Sequence, residues 1–179
     1  MFTLLCALAL FTVAVLWAVR VGARRFRGRR VDHEWLPANL HTAKLLWSEK
    51  LFRCGQPVPL VVRIDRAYQG CDGELTLIEF KRRAVCRVHL SDVVELSAQR
   101  YVLQTAGHRV SGRAYVVVVL SGGGCPRAIP VELEDPQRIE QRVARLLALR
   151  EQRIRPNGAV HFAVCRGCGH QEVCPNKVR

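Results

Sequence analysis

The segment RAYVVVVLS, residues 113–121, constrains this chain more than any other. A strand with one wet face alternates apolar and polar residues. This one is a continuous run of branched valines, which predicts a central strand buried on both faces. The neighbouring segments supply the rest of a sheet. PLVVRIDRAY (59–68) and LTLIEFKRR (75–83) read as strands, joined by QGCDG (69–73), where Asp72-Gly73 is a hairpin signal. AVCRVHL (84–90) reads as a third strand. Helical spacing of Leu40, Ala43, Leu46, Trp47 and Phe52 predicts a helix over 38–53, broken by Pro57 and Pro59. A second helix is expected over 92–106, capped by Ser91 or Asp92. A third, amphipathic helix runs over 135–152, with Asp135 as cap and Pro136 in its first turn. SGGGCP (121–126) is a loop, and there is no internal repeat. The order predicts an α/β domain: one mixed sheet flanked by helices.

Residues 2–19 carry no charge and, as a helix, reach about 27 Å, near the hydrocarbon thickness of a bilayer. Trp17 stands where an aromatic side chain favours the interface. Arg20, Arg24, Arg25, Arg27, Arg29 and Arg30 follow, with no acid before residue 31. A cleavable signal peptide carries its positive charge before the apolar run. The expectation is therefore a single-pass membrane anchor with the soluble domain cytoplasmic; a signal peptide or a buried core helix is the competing reading. The organisation expected is an anchor over 1–19, a basic juxtamembrane linker over 20–36, a core over 37–158 and a cysteine-rich tail over 159–179. The formal charge is +13, and the chain stays basic without the arginine cluster. That balance points to an anionic partner, nucleic acid or an acidic membrane surface.

Glu79 and Lys81 lie two apart, so a strand puts them on one face with Leu75 and Leu77. An exposed ion pair is one reading and contributes little. The hairpin at 69–73 supplies another, because it sets Asp65 on the neighbouring strand. Two carboxylates and a lysine can hold Mg²⁺ or Mn²⁺ and hydrolyse a phosphoryl ester. The lysine can orient the water or stabilise the transition state. Arg63, Arg82, Arg83 and Arg100 flank these residues and can contact phosphates, or are ordinary solvated side chains.

The ordered set Asp65, turn, Glu79-Phe80-Lys81, between two predicted helices, resembles the PD-(D/E)XK nuclease superfamily. The segment ELSAQRYVL (95–103) is similar to the motif that follows the active strands in its RecB-type branch, to which the CRISPR-associated iron–sulfur exonucleases belong. The usual glutamine and tyrosine four apart are absent; Glu95 and Gln99 have that spacing instead. The resemblance implies a restriction-endonuclease-like fold and a divalent-metal-dependent nuclease acting on nucleic acid, DNA favoured. Asp65 and Glu79 would be metal ligands, Lys81 would position the water and Gln99 would support the site. Glu49 would be the upstream helical acid, or simply an exposed glutamate. Glu95 reads as part of a solvated helix face. A helicase or another repair or recombination protein is a further partner of such nucleases.

CRGCGHQEVCP (165–175) places Cys165, Cys168 and Cys174 at C-x2-C-x5-C spacing. In a reducing compartment, clustered cysteines read as metal ligands, and glycines allow the tight turn. The ending resembles that of the iron–sulfur nucleases, which implies a [4Fe–4S] cluster held by these three and one earlier cysteine, here Cys54. Zn²⁺ completed by His170 or His161 is the alternative. Cys71, Cys86 and Cys125 read as small buried apolar residues and Cys6 as part of the anchor. His33, His41, His89 and His108 each stand alone. A non-catalytic nucleic-acid-binding or iron–sulfur sensing protein on the same fold is the second functional reading.

Overall fold

The computed structural model describes residues 34–157 and 162–174. The expected anchor at 2–19 and most of the basic linker lie outside them, as do His33, His161 and Cys6. Among the described residues no helix is long and apolar enough to cross a membrane. The described residues divide into two compact units, with the boundary at the start of the helix that begins at Pro136.

The first unit is built on one five-stranded sheet in the order β1-β2-β3-β4-β5. The strands are β1 (Lys44–Cys54), β2 (Leu60–Gln69), β3 (Leu75–Arg83), β4 (Arg113–Leu120) and β5 (Arg127–Glu132). The first three pair antiparallel as successive hairpins. β3 then pairs parallel with β4, and β5 returns antiparallel along the outer edge. Parallel neighbours need a crossover, and helix α1 (Leu90–Thr105) supplies it.

β4 sits between β3 and β5 and is covered on both faces. Val116 and Val118 join Ile64, Leu75, Leu77, Leu96 and Leu103 in a core beneath α1. Val117 faces the other way, with Trp35, Leu40, Tyr68 and Ile78. The mixed, two-faced sheet expected from the valine run is thus present.

The helix expected over 38–53 is absent. A short 3-10 turn at Ala38–Leu40 precedes β1, which pairs with β2 along nearly its whole length. The strand is irregular: its register shifts between Leu45 and Trp47, and Glu49 has φ 51°. Leu46, Trp47 and Phe52 all pack on the core beneath α1. The slip brings neighbours to one face, so apolar residues fall at helix-like intervals on an extended chain. Segment 84–89 is not a strand either. The ladder with β4 ends at Arg83, and the chain leaves the sheet there to enter α1. β5 was not expected. Its Pro130 interrupts a strand pattern, and a proline is tolerated there because β5 lies at the edge.

In the second unit, α2 (Pro136–Arg150) matches the expected amphipathic helix, and α3 (Phe162–Arg166) carries Cys165.

Candidate active site

The site lies where β2 and β3 part. Their ladder runs from Gln69↔Leu75 to Arg66↔Ile78 and stops. β3 continues to Arg83 paired with β4 alone, so its other edge is open beyond Ile78. Ile64 and Ala67 are three residues apart yet both enter the core beneath α1, so the alternation of β2 slips by one between them. Asp65 stands at that slip. Its Oδ2 accepts the Phe80 N–H at 2.8 Å, replacing the ladder bond that β2 no longer supplies.

One residue before Phe80, Glu79 continues the α1-facing row begun by Leu75 and Leu77, as the strand period dictates. It is only 3% exposed, an uncommon setting for a carboxylate unless it is paired. Both oxygens are used. Lys81 Nζ donates to Oε1 at 2.6 Å, and Gln99 Nε2 donates to Oε2 at 2.9 Å. Gln99 Nε2 also lies 3.0 Å from the Arg63 carbonyl oxygen, so it bridges the parted strands. Lys81 has a second carboxylate, Glu95 Oε2 at 2.7 Å. Glu95 and Gln99 are four apart on α1 and share a face, so one helix holds both ends of Glu79-x-Lys81.

Burial pushes the Glu79 carboxyl up to about 7. The hydrogen bonds from Lys81 and Gln99 pull it back, and the charges of Asp65 and Glu95 push it further up. Desolvation works against the Lys81 ammonium, but its hydrogen bonds to Glu79 and Glu95 outweigh that and raise it above an ordinary lysine. The result is a lysine firmly charged between two acids, one of which keeps its proton to near neutrality.

These features fit a hard divalent cation. Asp65 and Glu79 offer oxygen donors from adjacent strands. Gln99 Oε1 is buried with no hydrogen-bond partner among the described residues, an acceptor left over beside Glu79. Among the described residues no three His, Cys, Asp or Glu side chains gather as a ready-made metal site. Two carboxylates suffice for Mg²⁺, which keeps several waters and binds substrate oxygens directly.

Asp65, Glu79, Lys81 and Gln99 therefore come together as the sequence predicts. Glu49 does not join them as a helical acid. It is an exposed residue of β1, 3.7 Å from exposed Arg63. Glu95, read from sequence as a solvated residue, is in the site; its i, i+4 relation to Gln99 was the signal. Arg83, a candidate phosphate ligand, is committed instead to Asp92, with bonds of 2.7 and 2.6 Å. Asp92 also accepts the His89 N–H at 2.8 Å, so it caps the start of α1 from inside the first turn. Burial raises the Asp92 carboxyl, but the bonds from Arg83 and the His89 N–H prevail and hold it below the usual carboxylate range.

The cysteine tail forms its expected turn but, among the described residues, no closed ligand set. The Cys168 N–H donates to the Cys165 carbonyl at 3.1 Å; Cys165 is buried, Cys168 exposed and Cys174 intermediate. Cys54 Sγ donates locally to the Gln56 carbonyl at 2.8 Å. Neither the [4Fe–4S] cluster nor the zinc alternative is supported among the described residues. C-x2-C spacing fixes a backbone turn, whereas convergence of thiolates depends on the fold around it. Cys71 and Cys125 are exposed, not buried as expected. His41 Nε2 lies 2.9 Å from the Leu36 carbonyl oxygen, and His108 packs edge-on against Trp47.

A mixed sheet crossed by one helix, with two acids and a lysine where its strands part, defines a restriction-endonuclease-like domain. The chain belongs to the PD-(D/E)XK nuclease superfamily, whose family model matches residues 7–175. Members of that superfamily are usually metal-dependent nucleases. A solved structure described as "Crystal structure of SSO0001" is similar at 13% identity and a TM-score of 0.45. The similarity covers 77% of this chain and 60% of that one. No curated protein matches.

Proposed function

We propose that this protein is a divalent-metal-dependent DNA nuclease that hydrolyses phosphodiester bonds. The observation that carries the reading is Glu79, buried between Lys81 and Gln99 with Asp65 on the parted strand beside it. A second acid works against an ion pair kept only for stability, because the Asp65 charge pushes the Glu79 carboxyl further up. Asp65 and Glu79 would hold Mg²⁺ or Mn²⁺, which when bound supplies Lewis-acid charge at the scissile phosphate. Hydrolysis joins a water oxygen to phosphorus and releases a sugar oxygen. Lys81 is placed to orient that water or to hydrogen-bond the phosphoryl oxygen as charge builds. Gln99 holds Glu79 in one rotamer, so the carboxylate does not have to be ordered during the reaction. The basic charge of the chain favours a polyanionic substrate. The uncharged run at 2–19 and the arginines after it support placing this activity at the cytoplasmic face of a membrane.

The test is cleavage of labelled single- and double-stranded DNA by the full-length protein with Mg²⁺, Mn²⁺ or EDTA, beside Lys81→Ala. Cleavage abolished by both EDTA and the substitution is expected. A folded protein that binds Mn²⁺ but leaves both substrates intact would overturn the reading.

A further inference from the structure

We infer that Glu95 is a positioning residue of this site, anchoring Lys81 and supplying the third negative charge that matches the site to a divalent cation. The inference deepens the nuclease reading and rests on it. The Lys81 ammonium is shared by two carboxylates, Glu79 Oε1 at 2.6 Å and Glu95 Oε2 at 2.7 Å. The two acids have different settings. Glu79 is buried, and its other oxygen is taken by Gln99; the Glu95 side chain is about half exposed, at 48%. A cation held by Glu79 would compete with the Lys81 ammonium for the negative charge of that carboxylate, whose other oxygen already accepts from Gln99. The link between Lys81 and Glu79 would then be the one that weakens. A lysine is a point charge on a flexible four-carbon stem and drifts without a second partner. Glu95 is that partner. Gln99 keeps hold of Glu79 from one turn further along α1, so the two residues of Glu79-x-Lys81 can separate slightly without either losing its anchor.

Charge leads to the same residue. Asp65, Glu79 and Glu95 carry three negative charges when ionised, and Lys81 carries one positive charge. The sum is two negative, the complement of Mg²⁺ or Mn²⁺. With an amide at 95 only one negative charge remains. The carboxylate at 95 thus does two things that an uncharged polar residue cannot: it holds the ammonium by an ion pair as well as a hydrogen bond, and it completes the charge of the site.

The experiment compares full-length wild type with Glu95→Gln and Glu95→Asp. Four quantities are measured: Mn²⁺ affinity without DNA, by electron paramagnetic resonance; kcat and KM for DNA cleavage; and the unfolding midpoint. For Glu95→Gln, Mn²⁺ affinity and kcat should each fall about tenfold, the weight of one charge-assisted hydrogen bond. KM for DNA and the unfolding midpoint should be unchanged. Glu95→Asp keeps the charge on a shorter stem, so it should recover the Mn²⁺ affinity and only part of kcat. Loss of Mn²⁺ affinity in Glu95→Gln but not Glu95→Asp supports the inference even if no DNA substrate is cleaved, in which case the nuclease reading alone fails. Wild-type cleavage with unaltered kcat and Mn²⁺ affinity in Glu95→Gln would overturn the inference and leave the nuclease reading standing.

Discussion

Replacing Glu79 by glutamine should change how the stability of the metal-free protein depends on pH. In the unfolded chain this carboxyl loses its proton near 4.5; in the folded chain burial, the largest influence, holds the proton to about 7. Between those values the folded state binds more protons than the unfolded one, so the contribution of Glu79 to stability falls as pH rises. It is fully present below pH 4.5 and spent once pH has passed 7. The displacement corresponds to about 3 kcal/mol. Glutamine has nearly the same shape and does not titrate. The difference in unfolding free energy, wild type minus Glu79→Gln, should therefore drop by about 3 kcal/mol between acid and mildly alkaline pH. Carboxylates and histidines away from the site cancel in that difference. Urea unfolding in EDTA measures it, followed by tryptophan fluorescence because Trp35 is buried in the folded core. Equal urea slopes for the two proteins at each pH would show that the same transition is compared. A difference that is flat across this range, or that rises with pH, would refute the idea that Glu79 is held in a desolvated site.

The same site should respond to metal: at pH 8, Mn²⁺ at about 100 times its dissociation constant should stabilise wild type by about 3 kcal/mol and leave Asp65→Asn with Glu79→Gln unaffected. Gln99→Leu removes the bonds to Glu79 and to the Arg63 carbonyl. It should lower the cleavage rate at least about tenfold and shift the falling limb of the stability profile to higher pH, since Gln99 favours the charged form of Glu79. Asp92→Asn breaks the pair with Arg83 while leaving an amide near the cap, and should cost about 2 kcal/mol in urea unfolding at neutral pH. That loss should shrink in strong acid, because the Asp92 carboxyl, held below its usual range, is then protonated in wild type too. Leu96→Ala, in the core beneath α1, should destabilise by about 2–5 kcal/mol without altering metal affinity in the protein that remains folded.

Much of this was legible in the residues. The valine run at 113–121 required a strand covered on both sides, and Asp72-Gly73 fixed the hairpin that brings Asp65 toward Glu79. The row Leu75, Leu77, Glu79, Lys81 followed from a period of two. What misled was irregularity. β1 looks helical in sequence because a register slip and a residue at positive φ break its alternation. The stretch 84–89 has strand-like residues but pairs with no strand and instead links β3 to α1. Strand identity depends on a neighbour far along the chain, and the local pattern carries no record of it.

For the site, the residue types, their order and their spacing were set by the sequence: Asp65 ahead of a hairpin, Glu79-x-Lys81 after it, and a helix bearing Glu95 and Gln99. Tertiary structure decided which of them act together. Parting of β2 from β3 opens the edge that the Asp65 carboxylate fills. Packing of α1 across the sheet turns Gln99 and Glu95 toward the acid and the lysine, and removes water from Glu79. It also gives Arg83 to Asp92 rather than to a substrate. Spacing along a chain can place a carboxylate on a face, but only the surrounding fold sets its burial and its partners, and those determine its charge.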